Sequence, residues 1–461
     1  MIADLKPFSE YKTSGSRWLG NIPSHWEVRN LRTLIRPRNE RNRAELPLLS
    51  VAREKGVFIR SLTDANENHN VIPDDLSNYK VARAGNLVIN KMKAWQGSMG
   101  IAPCDGIVSP AYFVFDFGIS NRAFGQTLLR SKPYVAHFGQ ASDGVRVGQW
   151  DLTISGMRQI PVLIPPPEEQ AAIVRFLDWA NGRLERTIRA KRKVIALLNE
   201  QKQSIIHRAV TRGLDPTVPL KPSGIPWLGD IPQHWEVRRA KYLYREVDER
   251  STDGNEELLS VSHLTGVTPR SQKNITMFKA VSYAGHKLCR LGDLVVNTMW
   301  AWMGALGVST HAGIISPAYA VYRPHKPDSI VGMYMDGLLR SGPYVSNIIC
   351  RSTGLRASRL RLYPEEFFRL PIIQPPVEEQ HQIVRAIQRE TADLNIALSR
   401  LEHEIELLRE YRTRLVADVV TGKLDVRAAA ARLPELEPEP MDVEDGLEID
   451  ATEDDLSEEA A

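Results

Sequence analysis

Cysteine is scarce in this chain: three in 461 residues, Cys104, Cys289 and Cys350, an odd number with no C-x-x-C spacing. That scarcity excludes a disulfide framework and a cysteine-ligated zinc site, and the three are expected to be buried thiols. No apolar run approaches the roughly 18 to 20 residues of a membrane span. The opening Met1 to Pro7 also lacks the apolar stretch of a secretory signal, so a cytoplasmic protein without a membrane partner is expected. Catalytic signatures are missing too. There is no G-x-x-x-x-G-K-[ST] phosphate loop, G-x-G-x-x-G turn, H-E-x-x-H helix or G-x-S-x-G elbow, and no Asn-Pro-Pro-aromatic tetrapeptide of the kind that holds a flipped base. No catalytic residue, metal ligand or cofactor is assigned to this chain.

What is present begins with segregated charge. Of the 56 acidic residues, 13 fall between Pro434 and Ala461, where no basic residue occurs. The 59 basic residues of the remainder face 43 acidic ones and carry about +16, which points to a polyanionic partner, nucleic acid first. With 43% apolar residues the chain is long enough for two to four domains.

Self-comparison supplies the organisation. Trp18-Leu19-Gly20-Asn21-Ile22-Pro23-Ser24-His25-Trp26-Glu27-Val28-Arg29 returns 209 residues later as Trp227-Leu228-Gly229-Asp230-Ile231-Pro232-Gln233-His234-Trp235-Glu236-Val237-Arg238. Gly85-Asn86-Leu87-Val88-Ile89-Asn90 pairs with Gly292-Asp293-Leu294-Val295-Val296-Asn297, and Val108-Ser109-Pro110-Ala111-Tyr112 with Ile315-Ser316-Pro317-Ala318-Tyr319, both at 207. Leu128-Leu129-Arg130-Ser131 pairs with Leu338-Leu339-Arg340-Ser341 at 210, as Pro166-Pro167-Glu168-Glu169-Gln170 does with Pro376-Val377-Glu378-Glu379-Gln380. By contrast Arg53 to Val81 bears little likeness to His263 to Lys287, the pattern of a common scaffold carrying different contact loops.

Short apolar runs broken by Gly and Pro, such as Leu87 to Ile89, Tyr112 to Phe115 and Ile160 to Ile164, read as strands, so the front of each repeat is mixed α and β. After the proline cluster, carboxylates in a first turn announce a long helix. Val384, Ile387, Thr391, Leu394, Leu398, Leu401, Ile405, Leu408, Arg412, Leu415 and Val419 step by threes and fours as a coiled-coil seam. In phase with it run Val174, Leu177, Asn181, Leu184, Ile188, Lys191, Ile195, Leu198, Lys202, Ile205 and Ala209. Such stripes usually pack a core or dimerise, but beside duplicated modules each helix is the natural partner of the other. The expected fold class is α+β: two tandem α/β modules, each followed by a long helix, with the helices paired as an antiparallel coiled coil of pseudo-two-fold symmetry. The expected limits are a first module at 1–165, its helix at 166–214, a second module at 215–375, its helix at 376–427, and an acidic, disordered, solubilising tail at 428–461.

His25 and His234 recur beside tryptophans without a recurring second ligand or nucleophile, so packing is the expected role. Trp95 and Trp302 are suited to stacking on bases, although tryptophans at strand ends more often belong to a core. Candidate nucleic-acid contacts are the basic, diverged or glycine-flanked positions. In the first repeat these are Arg36, Arg38, Arg41, Arg43, Arg53, Lys91, Lys93 and Arg146. In the second they are His263, Arg270, Lys273, Arg290, Arg351, Arg356, Arg359 and Arg361. About one in four is expected to reach a base edge, the others phosphate or solvent.

The twin W-L-G-x-I-P-x-H-W-E motifs, the G-[ND]-L-V-[IV]-N strands, the S-P-A-Y segments and the P-P-x-E-E-Q helix starts together resemble one family. So do the turns Ser142-Asp143-Gly144-Val145-Arg146 and Ser352-Thr353-Gly354-Leu355-Arg356. From residue 11 to about 426 the chain is similar to the specificity subunits of type I restriction-modification systems. The resemblance implies two target-recognition domains reading the halves of an asymmetric, bipartite double-stranded DNA site, with conserved helices as spacer, in a chain that is itself non-catalytic. It further implies two methyltransferase subunits using S-adenosylmethionine, and ATP- and Mg-dependent restriction and translocase subunits. A bipartite nuclease or fused modification enzyme, and a coiled-coil scaffold without DNA specificity, are the competing readings. If the helices are a spacer, removing four residues between Leu184 and Ile205 changes the gap in a selected DNA site and spares both half-sites; an unchanged gap rules the spacer out.

Overall fold

The computed structural model describes residues 5–61, 73, 75–143, 150–272, 282–354 and 360–434. Arg146, Lys273, Arg356, Arg359 and the chain beyond Pro434 lie outside these residues. Two compact units are present among the described residues, the first running to Lys191 and taking in 402–434, the second Arg192–Leu401. Each is taken by itself.

The two modules repeat one topology. In the first, a four-stranded antiparallel sheet has the order Ile35–Arg38, Tyr112–Phe117, Leu87–Asn90, Met99–Ile101. In the second, the order is Tyr244–Val247, Ala320–Pro324, Leu294–Val296, Leu306–Val308. The strand Leu87–Asn90 is buried on both faces, which is why it reads as an unbroken apolar run. Alternation along it serves two cores: Leu87 and Ile89 join the cluster around Trp26, whereas Val88 joins Val51, Val57, Val108 and Val114. Leu294 and Val296 divide from Val295 in the same way.

The second core lies beneath a hairpin, Leu49–Ala52 with Gly56–Ile59 in one module and Leu259–Ser262 with Gly266–Pro269 in the other. An isolated hairpin is marginal in water, so this burial is what keeps it in place.

The long helices occupy Pro167–Arg212 and Val377–Val420. Within the first unit they are antiparallel: Arg412 Nη1 lies 3.4 Å from Glu185 Oε2, and Lys191, further along one helix, pairs with Glu404, further back on the other. In the second unit Arg208 faces Glu390 at 3.8 Å. The seam residues Leu177, Leu184, Ile188, Leu398, Ile405 and Leu415 are buried. Ile195, Leu198, Ile205, Leu394, Leu401 and Leu408 are half-buried among exposed neighbours, the period that the seam requires. Lys191, a polar interruption of the seam, is accommodated because Glu404 neutralises it.

One carboxylate joins each module to its helix. Glu169, in the first turn and almost fully buried, accepts the buried indole N–H of Trp26 at 3.0 Å and lies 2.7 Å from His25 Nε2. Glu379 does the same for Trp235 at 3.0 Å and His234 at 2.6 Å. The next residue ties the other side: Gln170 Oε1 accepts Asn121 N–H at 2.9 Å while its amide donates to the Pro165 carbonyl at 2.8 Å. Gln380 repeats this with Val331 and Pro375. Both histidines are exposed and are held by this carboxylate, so their role is to join module and helix and not to pack a core.

Three further expectations are corrected. The tail does not begin at 428: Arg427–Ala431 is helical, and Ala430 and Leu433 are buried in the first core, because Val426, Ala430 and Leu433 form an apolar stripe among good helix formers. The cysteines are not all buried. Cys289 is, Cys104 is half-buried, and Cys350 is exposed because it lies off the Tyr344 and Ile348 face of the helix Gly342–Arg351. Trp95 and Trp302 are half-buried outside the core, since their indole N–H groups turn back to the carbonyls of Met92 and Met299.

Glu169→Ala strips the Trp26 indole of its acceptor and is expected to cost about 1–3 kcal/mol of stability in urea unfolding. Glu169→Gln, which retains an acceptor, should recover much of it; an alanine variant as stable as the parent contradicts the joint.

Candidate nucleic-acid interface

Each module gathers basic side chains around the tyrosine of its S-P-A-Y segment. In the first, Lys80 Nζ donates to the Tyr112 carbonyl at 2.6 Å. Its ammonium is held below the usual lysine range by burial and by the nearby charges of Arg41 and Lys91. Burial raises the Tyr112 hydroxyl pKa, an effect that the Arg60 guanidinium opposes. In the second, burial raises Tyr319 and Arg270 opposes it. Arg60 and Arg270 occupy one place in the fold, for each takes its backbone bond from the start of its hairpin, to the carbonyls of Leu48 and Leu258 at 2.8 Å.

The structure therefore brings together Arg41 and Lys91, and places Arg270 at the corresponding point of the second module. Lys80 and Arg60 belong to the same group and were missed by sequence reading. The signal was present, since Lys80 and Lys287 share the 207 offset and both precede the G-[ND]-L-V strand.

Other candidates are committed to carboxylates. Arg38 pairs with Asp116 at 2.6 Å, Lys91 with Asp151 at 2.9 Å, Arg53 with Glu54 at 3.6 Å and Arg43 with Glu45. Arg290 pairs with Glu249 at 2.8 Å and Arg351 with Glu366 at 3.4 Å. Most of these pairs are exposed, so a phosphate can replace the carboxylate at little cost. Arg290 is different in kind. Glu249 also binds Arg323, which grips the buried Asp293 through two further bonds at 2.8 Å, so Arg290 borders a structural network. The first module carries a related network with its charges rearranged: Arg83 bridges Glu40 and Asp105, and Asn86 reaches Asp116 at 3.1 Å.

Arg36 and Arg38 alternate along the strand Ile35–Arg38 and so project to one side of the sheet, with Asp116 in register opposite Arg36. Lys93 is exposed and precedes the Ala94–Gln96 turn. Arg361 is exposed beside an isolated bridge to Thr353. His263 sits half-buried in a hairpin turn. Among the described residues there is no group of three or more His, Cys, Asp or Glu that could hold a metal, and no helix long and apolar enough to cross a membrane.

No family model matches the chain, and no curated protein matches its sequence. Among solved structures, a chain of a type I restriction-modification system, from work on its complex assembly and conformational transition, matches with a TM-score of 0.57. That match has 17% identity and covers 87% of this chain and 99% of the other. The HsdS subunit of Thermoanaerobacter tengcongensis matches with a TM-score of 0.39 at 16% identity, over 87% and 98% of the two chains. The S subunit of a type I restriction-modification system from M. genitalium gives 0.33 at 12% identity, over 86% and 96%.

Burial raises the Cys289 thiol to about 11, leaving little thiolate at pH 8, whereas Cys350 is exposed. Alkylation of the folded protein at that pH should therefore label Cys350 first and Cys289 only on unfolding; rapid labelling of Cys289 contradicts the burial. With two mixed α/β modules each followed by a long helix, this chain has the fold of the type I restriction-modification chain that it matches over nearly its whole length.

Proposed function

We propose that this chain is the sequence-specific DNA-binding subunit of a type I restriction-modification complex. Each module reads one half of an asymmetric, bipartite double-stranded site, and the paired helices hold the halves at a set spacing. The observation that carries this is the duplicated frame with diverged basic surroundings. The same tyrosine lies in the same place twice, beside Arg60 and Lys80 in one module, with Arg41 and Lys91 near Lys80, and beside Arg270 in the other. Two frames with different contact groups call for two different half-sites.

In this reading the exposed cations supply affinity by displacing counterions from phosphates, each neutralised phosphate adding roughly 0.9 to the salt slope on B-form DNA. Base selection then falls to the few side chains that reach groove edges. The chain itself is non-catalytic and binds no cofactor. Two methyltransferase subunits supply S-adenosylmethionine-dependent modification, and restriction and translocase subunits supply the chemistry that needs ATP and Mg. The complex works in the cytoplasm. The excess of basic residues before Pro434 is consistent with DNA as the partner.

Selection from random duplexes, with the modification subunits present, is the direct test. Two fixed half-sites separated by a constant gap are expected. A single uninterrupted site, or cutting or methylation of DNA by this chain purified alone with cofactor, overturns the reading.

A further inference from the structure

The diverged stretches of the two repeats begin at the hairpin turns, yet the device that holds those turns is the same in both. In the first module the turn Arg53-Glu54-Lys55 joins strands Leu49–Ala52 and Gly56–Ile59. Arg130, at the end of the helix Arg122–Arg130, reaches it with one nitrogen: Nη2 donates to the Arg53 carbonyl at 2.6 Å and to the Glu54 carbonyl at 2.7 Å. In the second module the turn is His263-Leu264-Thr265, with no residue in common with the first. There Arg340 Nη2 donates to the His263 carbonyl at 2.7 Å and to the Leu264 carbonyl at 2.8 Å.

Two adjoining features fit the guanidinium to the turn. Gly56 and Gly266 end the turns with φ of +71° and +68°, the left-handed residue of a three-residue hairpin loop. The left-handed backbone favours glycine at both positions, and a Cβ there would crowd Nη1 of Arg130 or Arg340 at 3.0 or 3.1 Å. One helical turn before each arginine, a side chain fixes the neighbouring strand: Gln126 Oε1 accepts Ile101 N–H at 2.7 Å, and Asp336 Oδ1 accepts Val308 N–H at 3.2 Å. The helix thereby clamps both the strand and the hairpin tip.

Carbonyls at a hairpin tip have no ladder partners. An arginine that binds two in succession fixes the direction of the turn through its backbone. The hairpin continues from the turn to Arg60 or Arg270, the cation beside the S-P-A-Y tyrosine, so its orientation sets both the turn's side chains and that cation.

We propose that Arg130 and Arg340 are positioning residues that hold each hairpin in its DNA-reading orientation, and that each controls discrimination at its own half-site alone. This rests on the function proposed above. The shared arginines let turns of unrelated sequence be exchanged on one frame, since the clamp is indifferent to what the turn displays.

The test uses the full-length chain in its assembly with the modification subunits, as wild type, Arg130→Gln, Arg340→Gln and Arg340→Lys. Each is passed through random-duplex selection, and amide hydrogen exchange is read at residues 53–56 and 263–266. Arg340→Gln is expected to lower discrimination at the second module's half-site on the order of tenfold. It should also speed exchange at 263–266, while the other half-site, the gap and exchange at 53–56 remain as in wild type. Arg130→Gln should give the reciprocal result. Arg340→Lys retains a single nitrogen that can donate to both carbonyls and should recover part of the second half-site's discrimination. The proposal is overturned if Arg340→Gln leaves both half-sites unchanged, or if it degrades both together. A wild-type chain that selects no split site removes the function beneath the proposal, and exchange at the turns then still reports whether the arginines hold them.

Discussion

A carboxylate in the first turn of a long helix, buried in the first repeat and half-buried in the second, is the interaction on which each repeat depends. Glu169 and Glu379 lie where the helix dipole favours negative charge, and each takes the N–H of a tryptophan whose ring forms the centre of a module core. The indole could not be buried with its donor unpaired without a large cost. The helix therefore cannot leave the module without unsealing the core, and the direction in which it departs is set by the same bond. Gln170 and Gln380 close the opposite side by joining the helix start to the chain before it and to a second, short helix.

From that joint outward, rigidity is graded. The central strand of each sheet is buried on both faces and divides its side chains between two cores, so it has little freedom to shift. The hairpin over the smaller core is held at its tip by an arginine that binds the turn's carbonyls. Variation in the turn is thus cheap for the fold, whereas variation in Leu87 to Asn90 or Leu294 to Val296 is not. A frame that is intolerant of change beneath loops that tolerate it is a physical arrangement suited to recognising different targets with one architecture.

Much of this was legible in the sequence. Duplication announced the two modules, and the three-and-four spacing of Leu177, Leu184, Ile188, Leu398, Ile405 and Leu415 announced the helix seam, because each is a periodic signal carried by many residues. What was not legible depended on single long-range contacts. Arg130 and Arg340 stood in a shared Leu-Leu-Arg-Ser motif, but nothing local says that their guanidinium groups bind carbonyls 76 and 77 residues earlier. Candidate cations were chosen for divergence, a criterion that overlooked Lys80 because its counterpart Lys287 is also basic. A place beside the glycine turn admitted Arg290, whose partner Glu249 ties it to a network around buried Asp293. The alanine-rich helix after Val426 was overlooked because the acidic run that follows it dominates composition.

The central claim is that each module carries its own half of the specificity on a shared frame. It is tested most directly by replacing residues 223–376 with a second copy of residues 14–166 and determining the DNA selected by that chain with the modification subunits. The account predicts that the first module's half-site appears twice and the second module's disappears. Retention of the second module's half-site would contradict it.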